Sequence, residues 1–178
     1  MTLMRRLPII AALLLLGLTG MPAAHAAEEQ TIKVFSAFQA QGQFMKTGDH
    51  EATFIGMIAG PVYIDTDQGP VDGGTISCPI VVHINLKDAT QKGTGQCVFT
   101  GPKGNQAYME LTCTGVPLVG CNGDSTFTGG TGPFVGVGGG GTFVLRSSLQ
   151  EIRSTAGLSF QDTARGIIYW RALHYKIP

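Results

Sequence analysis

Apolar residues occupy every second position along much of the chain after residue 27. The clearest run extends from Ile76 to Leu86, where each even-numbered residue is apolar and Ser77, His83 and Asn85 lie on the other face. A period of two is typical of β-strands that have one face buried in a core. The sequence therefore predicts a mainly β fold with almost no helix.

Two further runs with this period give predicted core positions. They are Ile32, Val34, Phe38 and Ala40 in the first run, and Ile55, Met57, Ala59 and Tyr63 in the second.

Turn-forming segments separate the apolar runs and divide the chain into eight predicted strands. These strands cover residues 31–45, 51–64, 74–86, 94–100, 106–113, 121–129, 134–145 and 164–177. Eight antiparallel strands can close a barrel whose interior holds side chains or one small ligand. A β-sandwich shows the same alternation and is the alternative. Residues 149–153 fit either a helical turn or an extension of a strand.

The first 26 residues have the layout of a secretory signal peptide. Arg5 and Arg6 precede an apolar run from Leu7 to Leu18, and a small-residue cleavage motif ends at Ala26. The run is too short for a membrane span, which needs about 20 apolar residues, so we expect no membrane anchor after cleavage. The prediction is a cleaved, exported protein that begins at Ala27, in the periplasm or the medium.

Residues 27–178 fit a single domain with one core. Cleavage removes two arginines and leaves 10 basic against 12 acidic side chains. No basic stripe is present to neutralise phosphates, so a nucleic-acid partner is not expected.

The four cysteines, Cys78, Cys97, Cys113 and Cys121, all follow the predicted cleavage site. An even count in an exported chain favours disulfides. Zinc is the rival interpretation, but the gaps between the cysteines are long and no histidine lies nearby to complete a compact ligand set. We expect no metal and no cofactor.

A hairpin that turns near Pro117 would place Cys113 directly opposite Cys121, within the distance that a disulfide requires. This pairing leaves Cys78 to bond Cys97 in the two strands that flank residues 87–93. The predicted disulfides are therefore Cys113 with Cys121 and Cys78 with Cys97.

A glycine-rich segment from Phe127 to Phe143 contains Gly136-x-Gly138-x-x-Gly141, which has the spacing of a dinucleotide-binding loop. Such a loop must lead into a helix, whereas the β-branched and aromatic residues that follow predict a strand. Glycine inside a sheet instead allows bulges and close approach of backbones where the sheet bends to close.

This segment also carries a family resemblance. The pattern Gly129-Gly130-Thr131-Gly132-x-Phe134-x-Gly136-x-x-Gly139, followed by a short strand, resembles the allene oxide cyclase-like and dirigent-like β-barrels. Small exported bacterial proteins of this kind are also similar in Gly95-x-Cys97-x-x-Thr100 and in Cys113 through Cys121-x-Gly123. The resemblance spans about residues 76–145.

The resemblance implies an eight-stranded antiparallel barrel. Its plant members use the barrel interior as a chiral mould, either to cyclise an unstable epoxide fatty acid or to orient the coupling of phenolic radicals. No functional residue of theirs aligns onto this sequence, so the catalytic residues are unknown.

Residues that could take part in catalysis or metal binding are few and scattered. His50, His83 and His174 fall at a turn, on a polar strand face and near the chain end, where solvated side chains are expected. Glu110 is predicted to face outward, and Glu51 must either face water or be satisfied inside.

Two further features have ordinary explanations. Asp65-x-Asp67 begins like a calcium loop but lacks its later ligands, so an acidic turn is expected. Arg171 shares its strand face with Ile167, Tyr169, Leu173 and Tyr175. Either Arg171 is a charge inside the barrel or this apolar-looking face is the outer one, and we favour the second.

Three functions fit these observations. The first is a barrel that binds a small hydrophobic ligand, which requires an internal cavity of several hundred Å³. The second is a structural or protein-interaction module of the cell envelope, and the third is a cyclase-like or isomerase-like enzyme.

Overall fold

The computed structural model describes residues 29–154 and 159–178, with side chains for 29–148 and 163–178. The predicted signal peptide and the Ala26–Ala27 cleavage site lie outside these residues. The described chain forms eight strands and one short 3-10 helix. The strands are β1 (Glu29–Lys46), β2 (Glu51–Thr66), β3 (Gly69–Asn85), β4 (Thr90–Thr100), β5 (Gln106–Val116), β6 (Gly120–Gly130), β7 (Gly138–Ser154) and β8 (Ser159–Lys176).

Each strand pairs antiparallel with its neighbours in sequence, and β8 returns to pair with β1. The prediction of a closed eight-stranded barrel is confirmed, and the sandwich alternative is wrong. Residues 149–153 extend β7.

The predicted inner face of β3 is confirmed for the residues of this strand, since Ile76 and Cys78 are fully buried. The last predicted position, Leu86, lies beyond the end of β3. The predicted inner face of β2 is wrong. Ile55 and Met57 are 49% and 43% exposed, whereas Phe54, Ile58 and Val62 are buried. The alternation does not reveal the true inner face because two of its positions, Gly56 and Gly60, are glycines. The ring of Phe54 lies over one of them. A Cβ atom at Gly56 would meet the ring of Phe54.

The outward position of Arg171 is confirmed, since its side chain is exposed. The assumption that Leu173 shares its face is wrong. The register of β8 against β1 shifts between Trp170 and Leu173, and both of these residues are buried. Such a bulge moves the following side chains to the opposite face, so strict alternation fails beyond it.

Two disulfides brace the barrel, and they join the predicted pairs. Cys78 lies opposite Cys97 across β3 and β4, with Cα atoms 4.1 Å apart. The expected direct opposition of Cys113 and Cys121 is wrong by two residues. Cys113 pairs with Gly123, so the second disulfide bridges β5 and β6 diagonally.

Side chains fill the half of the barrel that contains Glu29 and Pro178. Trp170 is fully buried, and its ring contacts those of Phe99 and Phe143, each with a centroid separation of 5.8 Å. The Trp170 Nε1 donates a hydrogen bond to Ser125 Oγ at 3.0 Å, and this hydroxyl donates to the Gly141 carbonyl at 2.7 Å. The indole is therefore both packed and satisfied, as a buried tryptophan requires.

The glycine-rich segment forms the β6–β7 connection at this filled end. The predicted strand over 134–145 begins only at Gly138, because Gly132–Phe134 form a 3-10 helix. Gly132 and Gly136 have φ values of 57° and 75°, which glycine adopts at little cost. The following Val137 is buried. The segment thus has the structural role that its composition indicated.

Ser36 provides a stability prediction, because its hydroxyl is fully buried in β1 without a hydrogen-bond partner among the described residues. A buried unsatisfied hydroxyl costs about 1–3 kcal/mol. We expect Ser36→Ala to raise the free energy of unfolding by about 1 kcal/mol in urea denaturation. The matched change Ser77→Ala, on the outer face of β3, should stay within about 0.5 kcal/mol of wild type. A loss of stability in Ser36→Ala would contradict the absence of a partner.

Candidate functional site

The other half of the barrel is hollow. A cavity of about 400 Å³ opens at the end formed by the β1–β2, β3–β4 and β5–β6 turns. This volume falls in the range of small-molecule sites. Its wall is built from inward residues of all eight strands, chiefly Phe38, Phe54, Ile58, Ile80, Leu111 and Phe143.

Glycines in β4 explain why this half is hollow. Gly93 and Gly95 alternate with outward residues and face the interior, where they contribute no side chain. A Cβ atom at Gly93 would lie 3.2 Å from Cys113 Sγ and 3.5 Å from Val82 Cγ2. Of the next inward residues of β4, Cys97 belongs to the core and Phe99 packs against it. The cavity therefore ends where β4 regains side chains.

The cavity wall is almost entirely apolar. No Asp, Glu, Lys, Arg or His belongs to the lining among the described side chains, and both lining cysteines are in a disulfide. Gln91 and Ser147 are the inward polar residues of the described wall, and both lie near the β5–β6 turn. Gln91 Nε2 donates to the Gly120 carbonyl at 3.2 Å, and the Ser147 backbone N–H donates to the Val119 carbonyl at 3.3 Å.

The β5–β6 turn forms an apolar lip at the mouth. Leu118 lines the cavity and is 66% exposed, and the adjacent Val119 is 55% exposed. Leu118 has a φ of 65°, and Val119 N–H donates to the Val116 carbonyl across the turn. That position in a turn favours glycine or asparagine. A large apolar residue is therefore held in an unfavourable conformation beside the cavity, an arrangement that is common at functional sites.

The polar residues singled out from the sequence do not assemble at this cavity. Five of them, namely His50, His83, His174, Glu51 and Glu110, are exposed. His83 Nδ1 lies 3.4 Å from Thr53 Oγ1 on the outer face, and His174 Nδ1 lies 2.8 Å from Thr31 Oγ1. Within the described residues, no group of three or more His, Cys, Asp or Glu side chains could hold a metal ion.

The sequence does not single out Gln91, because the composition of residues 87–93 predicts a turn there. In the structure β4 begins at Thr90, so Gln91 shares the inner face of Gly93, Gly95 and Cys97. Extending the alternation backward from Cys97 would have indicated an inward glutamine.

No helix in the described part of the chain has the length and hydrophobicity needed to span a membrane. In comparisons with known proteins, no family model matches the sequence and none of the curated proteins matches it.

Proposed function

We propose that this protein is an exported barrel that binds one small, mainly apolar molecule in its hollow half. The observation that carries the proposal is the cavity of about 400 Å³ with an apolar wall. Filling such a space removes apolar ligand surface from water, which contributes about 25 cal/mol per Å² of buried area. The filled half supplies the rigid core that keeps the cavity open.

The two disulfides support an oxidising compartment, since such bonds persist in exported proteins and are rare in the cytosol. A relationship to the allene oxide cyclase-like and dirigent-like barrels is part of the proposal. The eight-stranded closed barrel is the architecture that this relationship requires, and a ligand inside the barrel is the mode of action that it implies.

The proposal predicts that a side chain at Gly93 blocks binding. Leucine at this position would project between Cys113 and Val82 into the cavity. We expect Gly93→Leu to weaken the binding of the neutral fluorescent dye N-phenylnaphthylamine at least tenfold, which corresponds to about 1.4 kcal/mol. Dye fluorescence titration measures the affinity, and circular dichroism checks the fold.

Gly138→Leu is the matched control, because nothing lies within 4 Å of a Cβ atom at Gly138 and this residue begins β7 at the filled end. It should bind the dye like wild type. The proposal is wrong if wild-type protein does not bind the dye, or if folded Gly93→Leu binds it equally well.

A further inference from the structure

Gln91 occupies a distinctive place in the wall. Its backbone pairs with that of Gly115 in β5, and Gly115 pairs in turn with Cys121 in β6. Because Gly115 has no side chain, the glutamine side chain can extend across β5 to the Gly120 carbonyl at the start of β6. Gln91 is half-buried at the level of the mouth.

The contact with Gly120 fixes the orientation of the Gln91 amide. A backbone carbonyl can only accept a hydrogen bond, so the NH2 group of the glutamine must face it at 3.2 Å. The side-chain carbonyl Oε1 is then turned away, and no described residue donates a hydrogen bond to it. This oxygen is an acceptor, and it cannot donate. The Ser147 hydroxyl can donate or accept, so it does not discriminate between ligand groups.

The charge of the wall restricts the ligand further. An ion moved from water into an apolar space without an opposite charge loses its hydration without compensation. The described wall offers no ionised side chain. A carboxylate placed beside Gln91 would also face the negative end of the carbonyl dipole.

We infer that the ligand is uncharged and carries a hydroxyl or similar donor at one end, which Gln91 Oε1 accepts at the mouth while the apolar remainder fills the cavity. This inference rests on the proposed function. It makes Gln91 a specificity-determining residue of the site.

The test compares three competitors of similar size for displacement of N-phenylnaphthylamine. Nonanol has a donor, its isomer methyl octyl ether has only an acceptor, and octanoate is charged. We expect nonanol to compete about fivefold better than the ether, the effect of one net hydrogen bond. Octanoate should compete at least tenfold more weakly than nonanol.

Gln91→Met should bind nonanol and the ether equally when each is measured by displacement of the dye from that variant. The matched control is Gln96→Met, because Gln96 lies on the outer face of β4 and is exposed; it should keep the preference for nonanol. In wild-type protein, nonanol should shift the side-chain amide NMR signals of Gln91 and leave those of Gln96 unchanged.

The outcomes separate the inference from the proposed function. If the dye does not bind wild-type protein, the proposed function fails and the inference fails with it. If the dye binds but nonanol and the ether compete equally, or octanoate matches nonanol, only the inference is overturned. A preference for nonanol that persists in Gln91→Met, or an unshifted Gln91 amide in wild type, would also overturn it.

Discussion

Trp170→Ala is expected to lower the free energy of unfolding by about 3–5 kcal/mol, the usual cost of truncating a buried tryptophan. The indole is 0% exposed and contacts Phe99 and Phe143 in the filled half of the barrel. Truncation leaves a void that the strands cannot close, because backbone pairing holds them in place. Against a typical domain stability of about 5–15 kcal/mol, the loss is large.

Urea denaturation of Trp170→Ala and Trp170→Phe separates two contributions. Phenylalanine keeps most of the apolar volume but loses the hydrogen bond to Ser125 Oγ. The free energy of unfolding of Trp170→Phe should therefore lie between those of wild type and Trp170→Ala. Arg171→Ala, the neighbouring change on the outer face, should stay within about 0.5 kcal/mol of wild type. A Trp170→Ala variant as stable as wild type would contradict the assignment of this residue to the core.

The double change Cys78→Ala/Cys97→Ala is expected to lower the free energy of unfolding by about 3 kcal/mol. The bond joins residues 19 apart in sequence, and both cysteines are buried. Its removal increases the conformational freedom of the unfolded chain and leaves two small voids in the core. Chemical denaturation without reductant measures the effect.

The matched change Cys113→Ala/Cys121→Ala should lower the free energy of unfolding by less, about 2.5 kcal/mol, because these two cysteines are only 8 apart in sequence. Peptide mapping under non-reducing conditions tests the pairing directly. Recovery of a peptide in which Cys78 is bonded to Cys113 would contradict the strand order.

The alternation of apolar residues was sufficient to predict eight strands and the barrel, because period two persists wherever one sheet face is buried. It failed in two places for physical reasons. In β2 both faces are apolar, and glycines on the inner face concealed the true pattern. In β8 a bulge after Trp170 reversed the alternation.

The hollow half of the barrel was beyond the reach of sequence reasoning. Apolar alternation indicates which side chains face inward, but it does not reveal whether they meet across the barrel. That outcome depends on how many inward positions hold small residues, such as Gly93 and Gly95 in β4. The disulfide partners were predictable from strand order alone, whereas the diagonal register of Cys113 and Cys121 depended on the geometry of the turn at Leu118.

Gly93 and Gly95 occupy successive inward positions of one strand, about 7 Å apart along it. A residue larger than glycine at Gly95 would raise the floor of the chamber, whereas one at Gly93 would narrow it closer to the opening. The depth and the width of the cavity thus depend on single residues of one strand within the same eight-strand scaffold. Proteins that share this scaffold can therefore diverge in cavity size without rebuilding the barrel.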